Sequence, residues 1–122
     1  MTDAAYDIFA YEDVVLPPKR LTKVSTGIAL SCPPGFYFTI EGRSSLGMQE
    51  IIPFRGIIDA TYTGELLIGL INLSDTEYEV KKFDRIAQAI VHRQLDMEIV
   101  VINEFSSLYD QRGKAGFGSS GK

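Results

Sequence analysis

The chain reads as all-β, folded into a barrel or sandwich. Short apolar, aromatic or β-branched runs recur over the whole length, separated by glycine, proline and aspartate. No stretch carries the sustained 3.6-residue spacing of a long amphipathic helix. Neither an internal repeat nor a linker interrupts the pattern, so one β domain is expected over residues 1–103.

Tyr6, Ile8 and the run Val14 to Leu16 open the chain, and Pro17-Pro18 stops that segment. Lys19 to Thr26 alternates loosely, and Gly27-Ile28-Ala29-Leu30 is expected as a short strand. Pro33-Pro34-Gly35 signals a turn before the strand Phe36 to Ile40, which Gly42 ends. Arg43 to Gln49 suits one helical turn with a serine cap. Gly56 to Glu65 predicts strand, tight turn, strand, with Asp59 and Tyr62 at the bend and the apolar run Leu66 to Leu73 beyond it. Asp75-Thr76-Glu77 is a turn, and strands are expected at Tyr78 to Phe83, Ile86 to Val91 and, last, Glu98 to Ile102. From Glu104 the composition shifts, and residues 104–122 are expected to form a flexible, glycine-rich C-terminal arm.

Composition narrows the chemistry. A chain of 122 residues can bury about two-thirds of its unfolded surface in a single core. Its net charge of −4 argues against general binding to nucleic acid or anionic membranes, although local positive charge still allows a small polyanionic substrate. Cys32 and His92 are the only residues of their kinds, and are expected to be packing or surface residues. Their solitude excludes an intrachain disulfide, a cysteine cluster and a multi-histidine metal site, and leaves no useful Ser-His-Asp triad. No apolar run reaches membrane-spanning length and no basic-then-apolar signal opens the sequence, so an intracellular, cytoplasmic location is expected.

Four places carry candidate chemistry. Asp59, at the mouth of an apolar hairpin, is either a turn residue bonded to its own backbone or a partly desolvated general base. Arg43-Ser44-Ser45 is either an ordinary helix start or a phosphate clamp of guanidinium, hydroxyls and N–H groups. Asp84-Arg85-Ile86-Ala87-Gln88 sets polar side chains before and within a strand, as an exposed ion-paired face or a ligand contact. In the tail, Arg112 and Lys114 offer charge, Gly118, Ser119 and Ser120 offer N–H and hydroxyl donors, and Phe117 offers a stacking face. Alternatively the tail is a featureless glycine-serine segment. Its order of glycine, lysine and hydroxyl residues is not that of a Walker A loop.

In this order the segments resemble the trimeric deoxyuridine triphosphatases (dUTPases, dUTP pyrophosphatases). Ala4-Ala5-Tyr6-Asp7-Ile8 is similar to the first family motif and Gly42-Arg43-Ser44-Ser45-Leu46-Gly47 to the second. Gly56-Ile57-Ile58-Asp59-Ala60-Thr61-Tyr62-Thr63-Gly64 is similar to the third, Asp84 to Gln88 to the fourth, and Arg112 to Gly121 to the fifth. The resemblance implies a jelly-roll-like β-clip barrel, assembled as a homotrimer with active sites built between subunits. It implies Mg²⁺-dependent hydrolysis of dUTP to dUMP and pyrophosphate, limiting uracil in DNA and supplying dUMP for thymidylate synthesis. Asp59 would orient and deprotonate the attacking water, and Tyr62 would pack under the deoxyribose. Gly56 and Ile58 would lie at the substrate. Arg43, Ser44, Ser45 and Gln88 would hold the phosphates, and Asp7 would reach the triphosphate-bound Mg²⁺ through water. From another subunit, Phe117 would cover the uracil while Arg112, Gly118, Ser119 and Ser120 close on the nucleotide.

The homologous dCTP deaminases are also similar around Gly42 to Gly47 and Ile58-Asp59. Their acid–base glutamate lies three positions before an asparagine. Here the asparagine is Asn72 and that position is Gly69, so no carboxylate is available to activate water. A non-catalytic nucleotide sensor on the same scaffold would have no need of Asp59.

Overall fold

The computed structural model describes residues 3–104. Along them run β1 (Tyr6–Phe9), β2 (Val14–Leu16), β3 (Arg20–Ser25), β4 (Phe36–Glu41), the single helical turn α1 (Ser44–Gly47), β5 (Ile51–Pro53), β6 (Ile57–Asp59), β7 (Leu67–Asn72), β8 (Tyr78–Val80) and β9 (Arg85–Arg93). All strand pairs are antiparallel. They form a four-stranded sheet in the order β1-β9-β4-β6, a three-stranded sheet β3-β7-β5, and the pair β2-β8.

The three sheets share one core because their inward positions are apolar in phase. Ile68 and Leu70 of β7 are buried together with Val24 of β3 and Ile51 of β5. Phe38 and Ile40 of β4 and Ile8 of β1 close the core from the four-stranded sheet, with Leu16 and Val80 from the pair β2-β8. In β9, Ala87 and Ala89 are fully buried, and Ala87 lies opposite Ile8 in the β1 register. Small side chains there admit the larger ones facing them.

Asn72 breaks the apolar phase, being the third inward position of β7 after Ile68 and Leu70 and fully buried. Its amide NH₂ donates to the Leu16 carbonyl at 2.9 Å and the Thr76 carbonyl at 2.8 Å. Its Oδ1 accepts from the Ser74 N–H at 3.0 Å and the Ser74 hydroxyl at 2.7 Å. One side chain therefore ties β2, β7 and the 73–77 turn together with nothing left unpaired.

Several expected elements differ from those observed. The predicted hairpin is not a paired hairpin. β6 pairs with β4, whereas β7 pairs with β3 and β5, so the bend carries the chain from one sheet to another. Gly27 to Leu30 is not a strand: Gly27 turns at φ 69°, and the segment is held by Leu66 N–H to the Ile28 carbonyl at 2.8 Å. Tyr78 to Phe83 ends as a strand at Val80, because Lys82-Phe83 turns with Phe83 at φ 72°. The helical turn has Arg43, not a serine, at its N-cap, and no side chain caps it.

Glu98 to Ile102 is not a strand either. Extended backbone needs a partner for its N–H and C=O groups, and no described strand offers one there. Ile99 and Val101 are 90% and 91% exposed.

Asn72→Ala is expected to lower stability by about 2–4 kcal/mol, since it orphans the buried Leu16 carbonyl and opens a cavity. Urea unfolding followed by far-UV circular dichroism measures this, and a loss below about 0.5 kcal/mol would show that the amide network contributes little.

Candidate functional site

Two clusters of candidate side chains lie at opposite ends of β4. The first surrounds the bend after β6. Asp59 lies opposite Tyr37 of β4, and its carbonyl accepts the Tyr62 N–H at 3.1 Å. The Tyr62 hydroxyl donates to the Glu65 carbonyl at 2.7 Å, which lays the ring across Gly64. A Cβ at position 64 would stand 2.6 Å from that hydroxyl, so only glycine leaves the ring where it is. Ile57, Ile58, Asp59, Tyr62 and Leu66 line a cavity of about 230 Å³.

Asp59 itself is exposed. The desolvation expected of an apolar hairpin is not supplied by the described residues.

Glu65 anchors the far side of the bend. Its carboxylate accepts from the Ser25 hydroxyl and, at 2.9 Å, from the Gly27 N–H. Those two hydrogen bonds, the hydroxyl first, hold the Glu65 carboxyl below its usual range. The clasp is therefore formed at neutral pH, and its contribution is lost as pH falls through the depressed value.

The second cluster lies where β4 runs out toward α1. Asp7 of β1 faces Gln88 of β9 in the strand register, and Gln88 also faces Glu41 of β4. The Gln88 amide donates to the Gly42 carbonyl at 2.8 Å, fixing the chain just before Arg43. The Arg43 guanidinium donates to the Ser45 hydroxyl at 3.3 Å and the Arg85 carbonyl at 3.4 Å. One Asp7 carboxylate oxygen lies 4.0 Å from Arg43 Nε and the other 3.8 Å from the Arg85 guanidinium. The arginine side chains thus stand close together because a carboxylate sits between them. Arg43, Ser45, Gln49 and Arg85 open onto a polar hollow of about 490 Å³. Such a surface suits a polyanion.

Extended backbone rises about 3.3 Å per residue, so Arg43 lies about 20 Å from Tyr37 and hence from Asp59 of the same chain. Gly56, whose carbonyl accepts the Ile40 N–H at 3.0 Å, sits toward the arginine end. Ile58, opposite Phe38, sits midway. The fold therefore brings Asp7, Arg43, Ser45 and Gln88 together, joins Asp59 to Tyr62, and keeps the two groups apart. Ser44 begins α1 and is exposed. Arg112, Phe117, Gly118, Ser119 and Ser120 lie outside the described residues.

Among the described residues no three of His, Cys, Asp and Glu converge as metal ligands. Asp7, a lone carboxylate between guanidinium groups, fits a water-mediated contact to a cation delivered by an anionic ligand, not a resident metal. Two residues of the site were not singled out from the sequence. Arg85 was read as one member of a polar face, and Glu65 as the end of a turn; both act through partners some forty or more positions away. A side chain at Gly69 would lie against Leu21 and Phe54, its Cβ 3.3 Å from Leu21 Cδ1 and 3.4 Å from Phe54 Cβ.

The family model for dUTPase matches residues 1–121. The deoxyuridine 5'-triphosphate nucleotidohydrolase of Eremothecium gossypii is 40% identical over 120 residues, covering 97% of this chain and 77% of the relative. The dUTPase of Staphylococcus bacteriophage 80alpha, solved with dUpNHpp, superposes with a TM-score of 0.86 at 32% identity, over 99% of this chain and 88% of that one. A mutant dUTPase from phage phi11 of S. aureus, in which a structural Mg(II) ion is coordinated, has a TM-score of 0.75 at 29% identity, with 87% of each chain covered. These likenesses bear out the all-β reading of the sequence.

Asp7→Asn removes the negative charge shared by Arg43 and Arg85 and is expected to tighten metal-free binding of inorganic triphosphate about fivefold. Titration calorimetry at low salt reads this directly, and an unchanged affinity would show that Asp7 does not offset the arginines.

Proposed function

Because this chain belongs to the dUTPase family, we propose that it hydrolyses dUTP to dUMP and pyrophosphate at sites shared between copies in a homotrimer. The observation that carries the shared site is the separation along β4. A general base must stand within about 3 Å of the proton it takes, yet Asp59 and the arginine cluster of one chain are about 20 Å apart. A second copy, presenting its own Asp59 end beside the first copy's Arg43 end, removes the conflict. The exposed run from Leu95 to Ile102 gives an association surface, with Leu95, Met97, Ile99, Val100 and Val101 each more than 60% exposed.

In this reading Asp59 takes a proton from water as the water oxygen forms its bond to the α-phosphorus. The bond from that phosphorus to the bridging oxygen breaks, and its electron pair leaves with pyrophosphate. The Asp59 carboxylate needs neighbours to desolvate it, which assembly would provide. Arg43, Ser44, Ser45 and Gln88 hold the phosphates and, with Arg85, offset their charge. Gly56 and Ile58 present backbone toward the base, and Tyr62 packs beneath the deoxyribose. Asp7 would meet, through water, the Mg²⁺ that accompanies the triphosphate, which would add charge neutralisation. Residues 104–122 act as an arm that closes on the nucleotide, Phe117 over the uracil and Arg112, Gly118, Ser119 and Ser120 at the phosphates. The chain would work inside the cell, where its substrate is formed.

Pyrophosphate release should be far faster with dUTP than with UTP, dCTP or dTTP, and no ammonia should appear from dCTP. Asp59→Asn should lower kcat by about 10²–10⁴-fold while dUTP binding stays within a few-fold. Loss of affinity at unchanged kcat would contradict the base. Mixing inactive Asp59→Asn and Arg43→Ala chains after co-refolding should restore activity, to about one quarter of sites if copies assort at random. A mixture as inactive as its parents would contradict sites shared in this way.

A further inference from the structure

We propose that Glu65 is a positioning residue for Tyr62 and, through it, a determinant of the discrimination between deoxyribose and ribose nucleotides. The inference rests on the reading that Tyr62 packs beneath the sugar. Tyr62 is 45% exposed. Its pose is set by a hydrogen bond at each end, N–H to the Asp59 carbonyl and hydroxyl to the Glu65 carbonyl. A ring fixed by two backbone acceptors is only as steady as those acceptors.

The Glu65 carbonyl is steadied by its own side chain. One carboxylate oxygen receives both the Ser25 hydroxyl, at the end of β3, and the Gly27 N–H. The next residue repeats the connection through the backbone: Leu66 N–H donates to the Ile28 carbonyl at 2.8 Å, and the buried Thr26 hydroxyl donates to the Leu66 carbonyl at 2.5 Å. Residues 25–28 thus hold residues 65–66 by four hydrogen bonds, two of which pass through the Glu65 carboxylate. Gly64 has no side chain, so the ring can lie directly across its backbone. With the carboxylate removed, the Glu65–Leu66 peptide keeps its Leu66 N–H anchor on the Ile28 carbonyl, but it loses the two bonds made on the Glu65 side and its carbonyl can tilt about that single anchor. The ring then yields, and a ribose hydroxyl meets less resistance.

The test compares kcat/KM for dUTP and UTP in Glu65→Ala, Glu65→Gln, Ser25→Ala and Tyr62→Ala. In Glu65→Ala the UTP-to-dUTP ratio should rise about tenfold. Glu65→Gln keeps an oxygen able to accept both hydrogen bonds and should stay within about threefold of the parent. Ser25→Ala, the milder change, should raise the ratio a few-fold and serves if Glu65→Ala does not fold. A purely structural role would lower both substrates alike, and an unchanged ratio in Glu65→Ala and Ser25→Ala overturns the inference. If Tyr62→Ala also leaves the ratio unchanged, the sugar-facing reading of Tyr62 fails instead.

Discussion

The pairing of β4 on both edges is the constraint that sets the layout of the chain. With β9 on one side and β6 on the other, β4 cannot shift register without turning Phe38 and Ile40 out of the core. That register places Asp59 beside Tyr37 and sends Gly42 and Arg43 off the opposite end, against the Gln88 amide. The distance between acid and arginine is thus a property of the sheet. No rotation of exposed side chains closes it.

Polar side chains in this molecule act mainly by fixing backbone. Asn72 binds three segments from inside the core, Gln88 holds the carbonyl before Arg43, and Glu65 holds the loop after β3. Each reaches backbone where the chain leaves a strand, at Gly42 after β4, at Gly27 after β3 and at Ser74 after β7. Such positions have backbone donors and acceptors that ladder pairing leaves over, and a side chain that satisfies them also fixes the direction in which the chain continues. Asp7 works differently, balancing two guanidinium groups through long salt bridges of 4.0 and 3.8 Å without the tight geometry of a hydrogen bond.

The strands that were legible in the sequence are those whose period and composition suffice by themselves. Phe36 to Ile40 and Ile86 to Val91 fall within β4 and β9, and Leu66 to Leu73 encloses β7. Partnership could not be read. The Gly56 to Leu73 stretch has the local form of a hairpin, yet its arms enter different sheets because β4 and β3 compete for them over distances that no local pattern encodes. Glu98 to Ile102 has strand composition and no strand partner among the described residues. At the candidate site, the family resemblance points to Asp7, Arg43, Gln88, Asp59 and Tyr62. It missed Arg85 and Glu65, whose places depend on contacts distant in sequence.

The order of the four-stranded sheet also governs how such a chain can be made. β1, the first strand of the described chain, finds its partner only in β9, the last, and β4 too waits for β9 along most of its length. A ribosome would therefore release nearly all of the core sequence before that sheet could form. β3, β5 and β7 can pair earlier, but one edge of β1 and one edge of β4 stay unpaired until β9 emerges. Topologies dominated by such remote pairings fold slowly and leave sticky intermediates, so translation rate and chaperone access at that late stage bear directly on yield.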